Sequence, residues 1–428
     1  MQILPIHRPL SATVRVPGSK SLTNRALLIS ALAEGTTRLT NALFSDDSCY
    51  FAKALQTFGF DVQLDETDQE MTVTGLGGNI PVSQAELFVG NAGTAARFLT
   101  AFLTLGNGEY ILDGDARMRE RPIQDLIDAL NQLGVELESK NNCPPVRIFA
   151  KGVIGGKTKI AGNISSQFLS ALLMVAPYAK SPIEVEVTTE LNSKPYVDMT
   201  VAIMKDFGVE VKRNAYRNFI IPITTYQLPT YNLQSLVSNY PIESDASAAS
   251  YFFAAPAICG GWVRVENITR SSQQGDIAFL DILHEMGCTI KEGTDFIEVA
   301  SSETLNGVDV DMRDIPDTAQ TLAAIAPFAA SPTRIRGIAS ARVKETDRVH
   351  ATCTELARIG VSVEEHEDGM TIYPCEEIQP GTIQTYNDHR MAMAFALIGL
   401  RADGISIENP TCVSKTFPNY WEVLDTLR

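Results

Sequence analysis

The chain has 428 residues, 45% hydrophobic and 20% charged, with 35 Lys and Arg against 51 Asp and Glu and a net charge of −16. This length exceeds one ordinary core and predicts two domains or more. The acidic balance argues against nucleic acid or an anionic membrane as the main partner, and no apolar run approaches the roughly 20 residues of a membrane span.

Seven cysteines (49, 143, 259, 288, 353, 375 and 412) are odd in number, widely scattered and without a C-x-x-C pair. A reduced cytoplasm therefore fits better than a disulfide frame or a zinc site. The first ten residues, MQILPIHRPL, lack the basic-then-apolar layout of a secretory signal.

Along the chain one pattern recurs six times. A short tetrad opens an Ala/Leu-rich helix: GSKS at Gly18, GNAG at Gly90, GNIS at Gly162, ESDA at Glu243, IPDT at Ile315 and YNDH at Tyr386. Successive starts lie 72, 72, 81, 72 and 71 residues apart. Such a period means one supersecondary unit repeated. After each tetrad come a core-facing helix (ALLISALAEG from Ala26, FLTAFLTLG from Phe98, FLSALLMVA from Phe168, AMAFALIGL from Ala392), an alternating strand and a polar loop. The strands are TRLTN (37–41), EYILDG (109–114), IEVEV (183–187), WVRVEN (262–267), TRIRG (333–337) and ISIEN (405–409). In five copies a second helix then stops at a glycine (Gly59, Gly134, Gly208, Gly287, Gly360) and turns into a further strand. The fold class is α/β, built from repeats.

The longer third interval and the stretch TTYQLPTYNLQSLVSNYP (224–241), rich in Pro, Asn and Ser without an apolar period, predict a linker. The last copy ends at WEVLDTLR without its closing glycine and hairpin. Segment 1–17, with the alternating ATVRV, is expected to complete it. The domains are then 1–19 plus 241–428, discontinuous, and 20–240, with a hinge at the crossings near residues 19 and 240.

The polar slots carry the chemistry. Helix N-termini present unpaired N–H groups and partial positive charge, which suits anions. For any one tetrad, Ser, Asn, Asp or Thr is explained as well by plain N-capping. Lys20, Arg25 and Arg390 beside those caps are not, since cations at a helix start oppose the dipole and need an anion to offset them. The loops between strand and helix add Arg117, Arg119 and Arg121 in DARMRERPI, Ser193, Lys194 and Tyr196 in NSKPYVD, Lys344, Glu345, Asp347 and Arg348 in VKETDR, and Lys415 in SKTFP. The spacing of Lys344, Glu345 and Arg348 puts them on roughly one face of a helix. Cations concentrated in an acidic chain point to a small polyanionic ligand, or two. Other chemistries fit poorly. The five histidines form no H-x-x-x-H pair, and no P-loop, G-x-G-x-x-G or G-x-S-x-G motif is present. Acid–base work by Asp, Glu and Lys in a cationic cleft remains.

The ordered set PGSKSLTNR (17–25), NAGTAAR (91–97), RERPI (119–123), SSQF (165–168), SKPY (193–196), IPD (315–317), VKETDR (343–348), YNDHRMAM (386–393) and KTFP (415–418) resembles the 5-enolpyruvylshikimate-3-phosphate synthase family over essentially the whole chain. The resemblance implies two domains, each of three βαβαββ units with inward helices and outer sheets, and an active site in the interdomain cleft assembled by closure. It implies transfer of the enolpyruvyl group of phosphoenolpyruvate to the 5-hydroxyl of shikimate 3-phosphate, with release of phosphate, on the way to chorismate. No metal or organic cofactor is implied, and a monomer is expected.

Position by position, the resemblance assigns shikimate 3-phosphate to Lys20, Ser21, Arg25, Ser165, Ser166, Gln167, Ser193, Tyr196, Asp317, Ser340 and Lys344. It assigns phosphoenolpyruvate to Lys20, Asn91, Gly93, Arg121, Gln167, Arg348, Arg390 and Lys415. Asp317 is the candidate base on the 5-hydroxyl; Glu345 and Lys20 are unranked candidates for the C3 proton. Two positions depart from the family pattern: Ser340 stands where relatives often carry Asn, and Phe98 where Pro is common. Gly93 rather than Ala resembles the glyphosate-sensitive form. The same fold and reaction occur in UDP-N-acetylglucosamine enolpyruvyl transferase, but that family places a catalytic Cys in the loop corresponding to 113–121, and DGDARMRER has none. A non-catalytic polyanion-binding module would account for the cations but not for Asp317 and Glu345 beside them.

Overall fold

The computed structural model describes residues 1–229 and 237–428, so residues 230–236 of the predicted linker 224–241 lie outside the description. The chain divides into two compact units, Gly18–Ile242 and Met1–Pro17 with Glu243–Arg428.

The unit Gly18–Ile242 contains three four-stranded sheets of one design. In the second, strand Gln84–Phe88 runs parallel to Asn107–Asp113, which pairs antiparallel with Val146–Lys151, itself paired with Glu136–Ser139. The third repeats the order with Gly156–Ile160, Ile183–Val187, Asn218–Ile221 and Lys212–Asn214. In the first, Glu34–Thr40, Glu70–Leu76 and Asp61–Asp65 are joined by Val237–Pro241, which returns from the end of the unit to lie parallel to Glu34–Thr40. Strand side chains alternate as the period-two pattern requires: Val146–Lys151 buries every second residue.

The tetrad helices are the inner layer. Gly93–Leu103 is buried at every residue, Ser166–Val175 at all but Gln167, and Lys20–Leu32 at all but its first two. A helix apolar on all sides belongs in a core rather than on a surface. The second helices, such as Gln124–Gln132, bury one stripe (Leu126, Ile127, Ala129, Leu130) and are amphipathic.

The other unit has the same design around Ala246–Cys259, Ala319–Ile325 and His389–Arg401. Its sheets are Leu10–Arg15, Gly261–Glu266, Phe296–Ala300 and Thr289–Glu292; Asp309–Asp311, Thr333–Arg336, Gly369–Ile372 and Val363–His366; and the pair Gly381–Ile383 with Ile405–Ile407. The N-terminal segment serves two copies. Its first residues bond to the sixth, where Ile407 N–H donates to the Met1 carbonyl (2.7 Å) and Ile3 N–H to Ile405 (2.9 Å). Leu10–Arg15 instead joins the fourth, parallel to Gly261–Glu266. The reason is the unit's own logic: the strand before a tetrad pairs with the strand after a tetrad helix, and Gly261–Glu266 has no other parallel partner among the described residues.

The glycines that close the second helices have φ of 89° (Gly59), 84° (Gly134), 81° (Gly208), 108° (Gly287) and 86° (Gly360), the left-handed stop that glycine adopts without strain. Gly75 has a different role. A Cβ there would lie 2.1 Å from the Ser30 carbonyl oxygen and 2.2 Å from that of Ala33, so the first sheet touches the helix Lys20–Leu32 backbone to backbone. Gly75→Ala should therefore destabilise this unit by more than about 2 kcal/mol, because backbone has to move and no side chain can rotate away. A fall in thermal midpoint of several degrees in scanning calorimetry checks this.

Candidate active site

In the unit Gly18–Ile242 the first tetrad sets Ser19 as cap of the helix Lys20–Leu32, its hydroxyl accepting from Leu22 N–H. One turn on, Arg25 is almost wholly buried in a neutral cage. Its Nε donates to Thr200 Oγ1 (2.8 Å), Nη1 to the Ser21 carbonyl (2.9 Å), and Nη2 to the Tyr196 carbonyl (3.1 Å) and Ser170 Oγ (3.4 Å). Its guanidinium lies 5.2 Å from the centre of the Phe98 ring. Burial lowers its pKa to about 10, so it stays a cation at neutral pH. Lys20 is 3.6 Å from the carboxylate of Asp47, a buried acid on the next helix.

The second tetrad builds a separate niche. Arg121 Nη1 donates to Asn91 Oδ1 (2.8 Å) and to the Asn91 carbonyl (3.0 Å). A Cβ on Gly93 would fall 2.5 Å from Arg121 Nη2, so glycine is what lets the guanidinium lie against the helix start. Arg97 steadies this turn, donating to the carbonyls of Gly93 (3.3 Å) and Pro122 (2.9 Å). Gln167 Nε2 donates to Thr94 Oγ1 (3.4 Å), linking the third tetrad to the second, and Ser165 caps the helix Ser166–Val175. Ser193 stands at the N-cap position of the helix Lys194–Asp206 in a left-handed conformation (φ 56°), without a side-chain capping bond.

In the unit containing Glu243–Arg428 the site residues form one ion network around Arg348. Its Nε donates to Asp388 Oδ2 (2.8 Å), Nη1 to Asp317 Oδ1 (3.1 Å), and Nη2 to Glu345 Oε2 (2.7 Å) and Asp388 Oδ1 (3.3 Å). Arg390 donates to Asp317 Oδ2 (2.7 Å) and to the Asp317 carbonyl (2.9 Å). Lys415 Nζ sits 3.5 Å from Glu345 Oε1. Three cations thus meet three carboxylates, all with side chains under one-fifth exposed. Burial alone would lower the pKa of Arg348; the charges of Asp388, Glu345 and Asp317 outweigh it and hold it raised.

The local sequence accounts for the geometry. Asp347 caps the helix Arg348–Arg358, accepting from His350 N–H (3.0 Å), and Asp388 caps His389–Arg401, accepting from Arg390 N–H (2.9 Å). The helical face expected across VKETDR begins only at Arg348, because the Asp347 cap fixes the start there. Lys344 is in a non-helical turn, while Glu345 still reaches Arg348. Ser340 is buried and Lys344 half-buried on this approach.

Three acids that the sequence reading did not place in the site stand out: Asp47 beside Lys20, Asp388 beneath Arg348, and Asp276. Asp276 is buried and accepts from the Ser247 hydroxyl. Burial pushes its carboxyl up to about 6, Asp317 and Asp245 push in the same direction, and Ser247 and Arg390 oppose them. The available signal was an acid recurring near the helix starts of an otherwise cationic set. Among the described residues no group of three or more His, Cys, Asp or Glu is placed to hold a metal ion.

The family model for EPSP synthase (3-phosphoshikimate 1-carboxyvinyltransferase) matches residues 5–424. A 3-phosphoshikimate 1-carboxyvinyltransferase of Trichormus variabilis is 51% identical over 419 residues, 97% of this chain and 96% of the relative. One from a Nostoc species is 50% identical with the same coverage. The solved EPSP synthase of Acinetobacter baumannii superposes with a TM-score of 0.80 at 26% identity, covering 100% of this chain and 97% of its own.

The raised carboxyl of Asp276 has a signed consequence. An acid that holds its proton more tightly folded than unfolded destabilises the fold as pH climbs from its ordinary value of 3.8 through about 6. Asp276→Asn keeps an acceptor for Ser247 and should raise the thermal midpoint above pH 6, by the equivalent of roughly 1–3 kcal/mol. The advantage should shrink towards zero near pH 4. A calorimetric pH series checks it, and a gap constant with pH contradicts it.

Proposed function

The chain belongs to the EPSP synthase family, and on that premise we propose that it transfers the enolpyruvyl group of phosphoenolpyruvate to the 5-hydroxyl of shikimate 3-phosphate, releasing phosphate in the shikimate pathway to chorismate. The observation that carries this reading is the ion network in which Arg348, Arg390 and Lys415 are each held by a carboxylate. A site built only to bind anions would leave those acids out, since each opposes the ligand.

The chemistry is addition followed by elimination. The 5-hydroxyl oxygen attacks C2 of phosphoenolpyruvate and gives up its proton to Asp317, while C3 takes a proton from Glu345 or Lys20. The resulting tetrahedral intermediate gives a C3 proton back to the group that supplied one, the C2–C3 double bond re-forms, and the C2–O bond breaks with its electron pair leaving on phosphate. Arg348, Arg390 and Lys415, with Arg121, Asn91, Gly93, Gln167 and Lys20, hold the carboxylate and phosphate of phosphoenolpyruvate. Preorganised cations of this kind stabilise the charge that develops in the intermediate. Asp317 accepts from Arg348 and Arg390, and Glu345 accepts from Arg348 and faces Lys415. An arriving anion displaces them from the guanidinium donors, which releases them for proton transfer as the substrate binds.

Shikimate 3-phosphate is held by Lys20, Ser21, Arg25, Ser165, Ser166, Gln167, Ser193 and Tyr196, with Asp317, Ser340 and Lys344 on its hydroxyls. We assign the two compact units the role of domains, each contributing its own set of these residues, and the chain a monomeric, cytoplasmic life. Its seven cysteines are free, and among the described residues no helix is long and apolar enough to cross a membrane.

The nucleotide-sugar alternative needs an activated cysteine near the 113–121 loop. Cys143 is the nearest in sequence, and burial pushes its thiol up, against the weaker pull of Arg97. A catalytic cysteine needs the opposite shift.

The direct experiment measures phosphate release from phosphoenolpyruvate with EDTA present, in parallel with shikimate 3-phosphate and with UDP-N-acetylglucosamine. Release only with the first acceptor is expected. Release only with the second would overturn the substrate assignment, and silence with both from a protein that binds phosphoenolpyruvate would favour a binding module. Glu345→Gln should lower kcat by roughly 10²–10⁴, leaving the KM for shikimate 3-phosphate within a few-fold. Gly93→Ala should drive the Arg121 guanidinium off its niche and raise the KM for phosphoenolpyruvate roughly tenfold or more, the loss of one charged hydrogen bond. Competition by glyphosate should weaken in the same variant. Steady-state kinetics with each substrate varied in turn check both.

A further inference from the structure

The turn before Asp388 is the most strained element near the ion network. Tyr386 and Asn387 are consecutive non-glycine residues in the left-handed region, with φ of 53° and 56°. Each such residue costs on the order of 1 kcal/mol and persists only where its surroundings fix it. Asp388 N–H donates to the Thr385 carbonyl (2.8 Å) and Asn409 Nδ2 to Asn387 Oδ1 (3.1 Å), and the buried anchor of the turn is Glu355, two turns into the helix that Arg348 begins.

Glu355 is fully buried, and both its oxygens are used. Oε2 accepts from the backbone N–H of Gln384 (3.0 Å) and from Arg358 Nε (2.9 Å). Oε1 accepts from the Tyr386 hydroxyl (2.8 Å) and Arg358 Nη2 (3.3 Å). Two of these bonds run from the helix Arg348–Arg358 to the segment 384–386. Directly after it Asp388 binds Arg348 and caps the helix that carries Arg390. The carboxylate therefore fastens the strained turn to the same helix whose first residue is the hub of the network.

We propose that Glu355 is a positioning residue for the phosphoenolpyruvate side of the reaction, holding the Tyr386–Asn387 turn so that Asp388 and Arg390 are set at a fixed distance from Arg348. It touches neither substrate and acts only through that turn. Its partner Arg358 is about two-fifths exposed, so an ion pair that only neutralises the buried carboxylate is the competing role, and the two roles separate by variant. The proposal rests on the reading of Arg348 and Arg390 as phosphoenolpyruvate ligands.

The experiment compares wild type with Glu355→Ala, Tyr386→Phe and Arg358→Ala, measuring KM for each substrate, kcat and thermal midpoint. Glu355→Ala should raise the KM for phosphoenolpyruvate about tenfold or more while that for shikimate 3-phosphate stays within about threefold, the loss of bonds to a charged group acting on one substrate only. Tyr386→Phe, which removes one hydroxyl and no buried charge, should move the same constant about threefold and keep the protein folded if Glu355→Ala does not fold. Arg358→Ala should leave both KM values unchanged. Equal shifts for both substrates, or an Arg358→Ala effect as large as that of Glu355→Ala, would overturn the proposal, as would a Tyr386→Phe variant with wild-type kinetics. Failure of the functional reading itself shows separately, as no phosphate release by wild type with shikimate 3-phosphate.

Discussion

The unit containing Glu243–Arg428 depends on one condition: a buried guanidinium has to keep its charge and its N–H groups matched by anionic partners. Removing an ion from water costs several kcal/mol even after relaxation, and only well-aligned partners offset it. Arg348 meets the condition with three acids drawn from two successive copies of the repeat, Asp317 and Glu345 from the fifth and Asp388 from the sixth. It therefore ties together three helix starts that lie about 30 to 40 residues apart in sequence, those near Asp317, Arg348 and Asp388. The same bonds that stabilise the fold hold the acids and bases of the proposed chemistry at hydrogen-bonding distance.

The two units solve the problem of a cation at a helix start in different ways. Arg348 and Arg390 are matched by carboxylates, so a ligand there exchanges partners and does not merely add charge. Arg25 is surrounded by hydroxyls and carbonyls, which satisfy its N–H groups without cancelling its charge. An anion meeting Arg25 faces no resident competitor, whereas one meeting Arg348 has to displace an acid. Under the proposed function this fits a tight phosphate anchor in one case and a release of catalytic carboxylates in the other.

Much of this was legible in the chain because period and end signals are local. The six tetrads, the alternating strands and the five glycine stops each follow from a few adjacent residues, and all appear where the spacing puts them. The cationic residues were legible for the same reason. Their partners were not. Asp47, Asp276 and Glu355 look like ordinary members of an acid-rich surface until burial is known. Strand pairing was hidden too: Leu10–Arg15 carries no mark that sends it to Gly261–Glu266, since any parallel neighbour with the same alternation would suit it. The i,i+3 and i,i+4 spacing in VKETDR suggests a helical face, and the competing signal, Asp347 as a cap, decides where the helix begins.

Phe98 shows how a departure from family pattern is absorbed by its surroundings. A proline there would remove a backbone donor within the helix Gly93–Leu103 and present no aromatic face. Phenylalanine keeps the helix bonded through this turn and places its buried ring beneath the Arg25 guanidinium. A cation over an aromatic face gains roughly 0.5–2 kcal/mol, most when both are desolvated. That gain opposes the burial that lowers the pKa of Arg25. The helix that carries Gly93 at its start thus supports, one turn further in, a cation belonging to the first tetrad helix. A change at residue 98 would be felt at both proposed anion niches of this unit, through helix geometry at Gly93 and through the ring at Arg25.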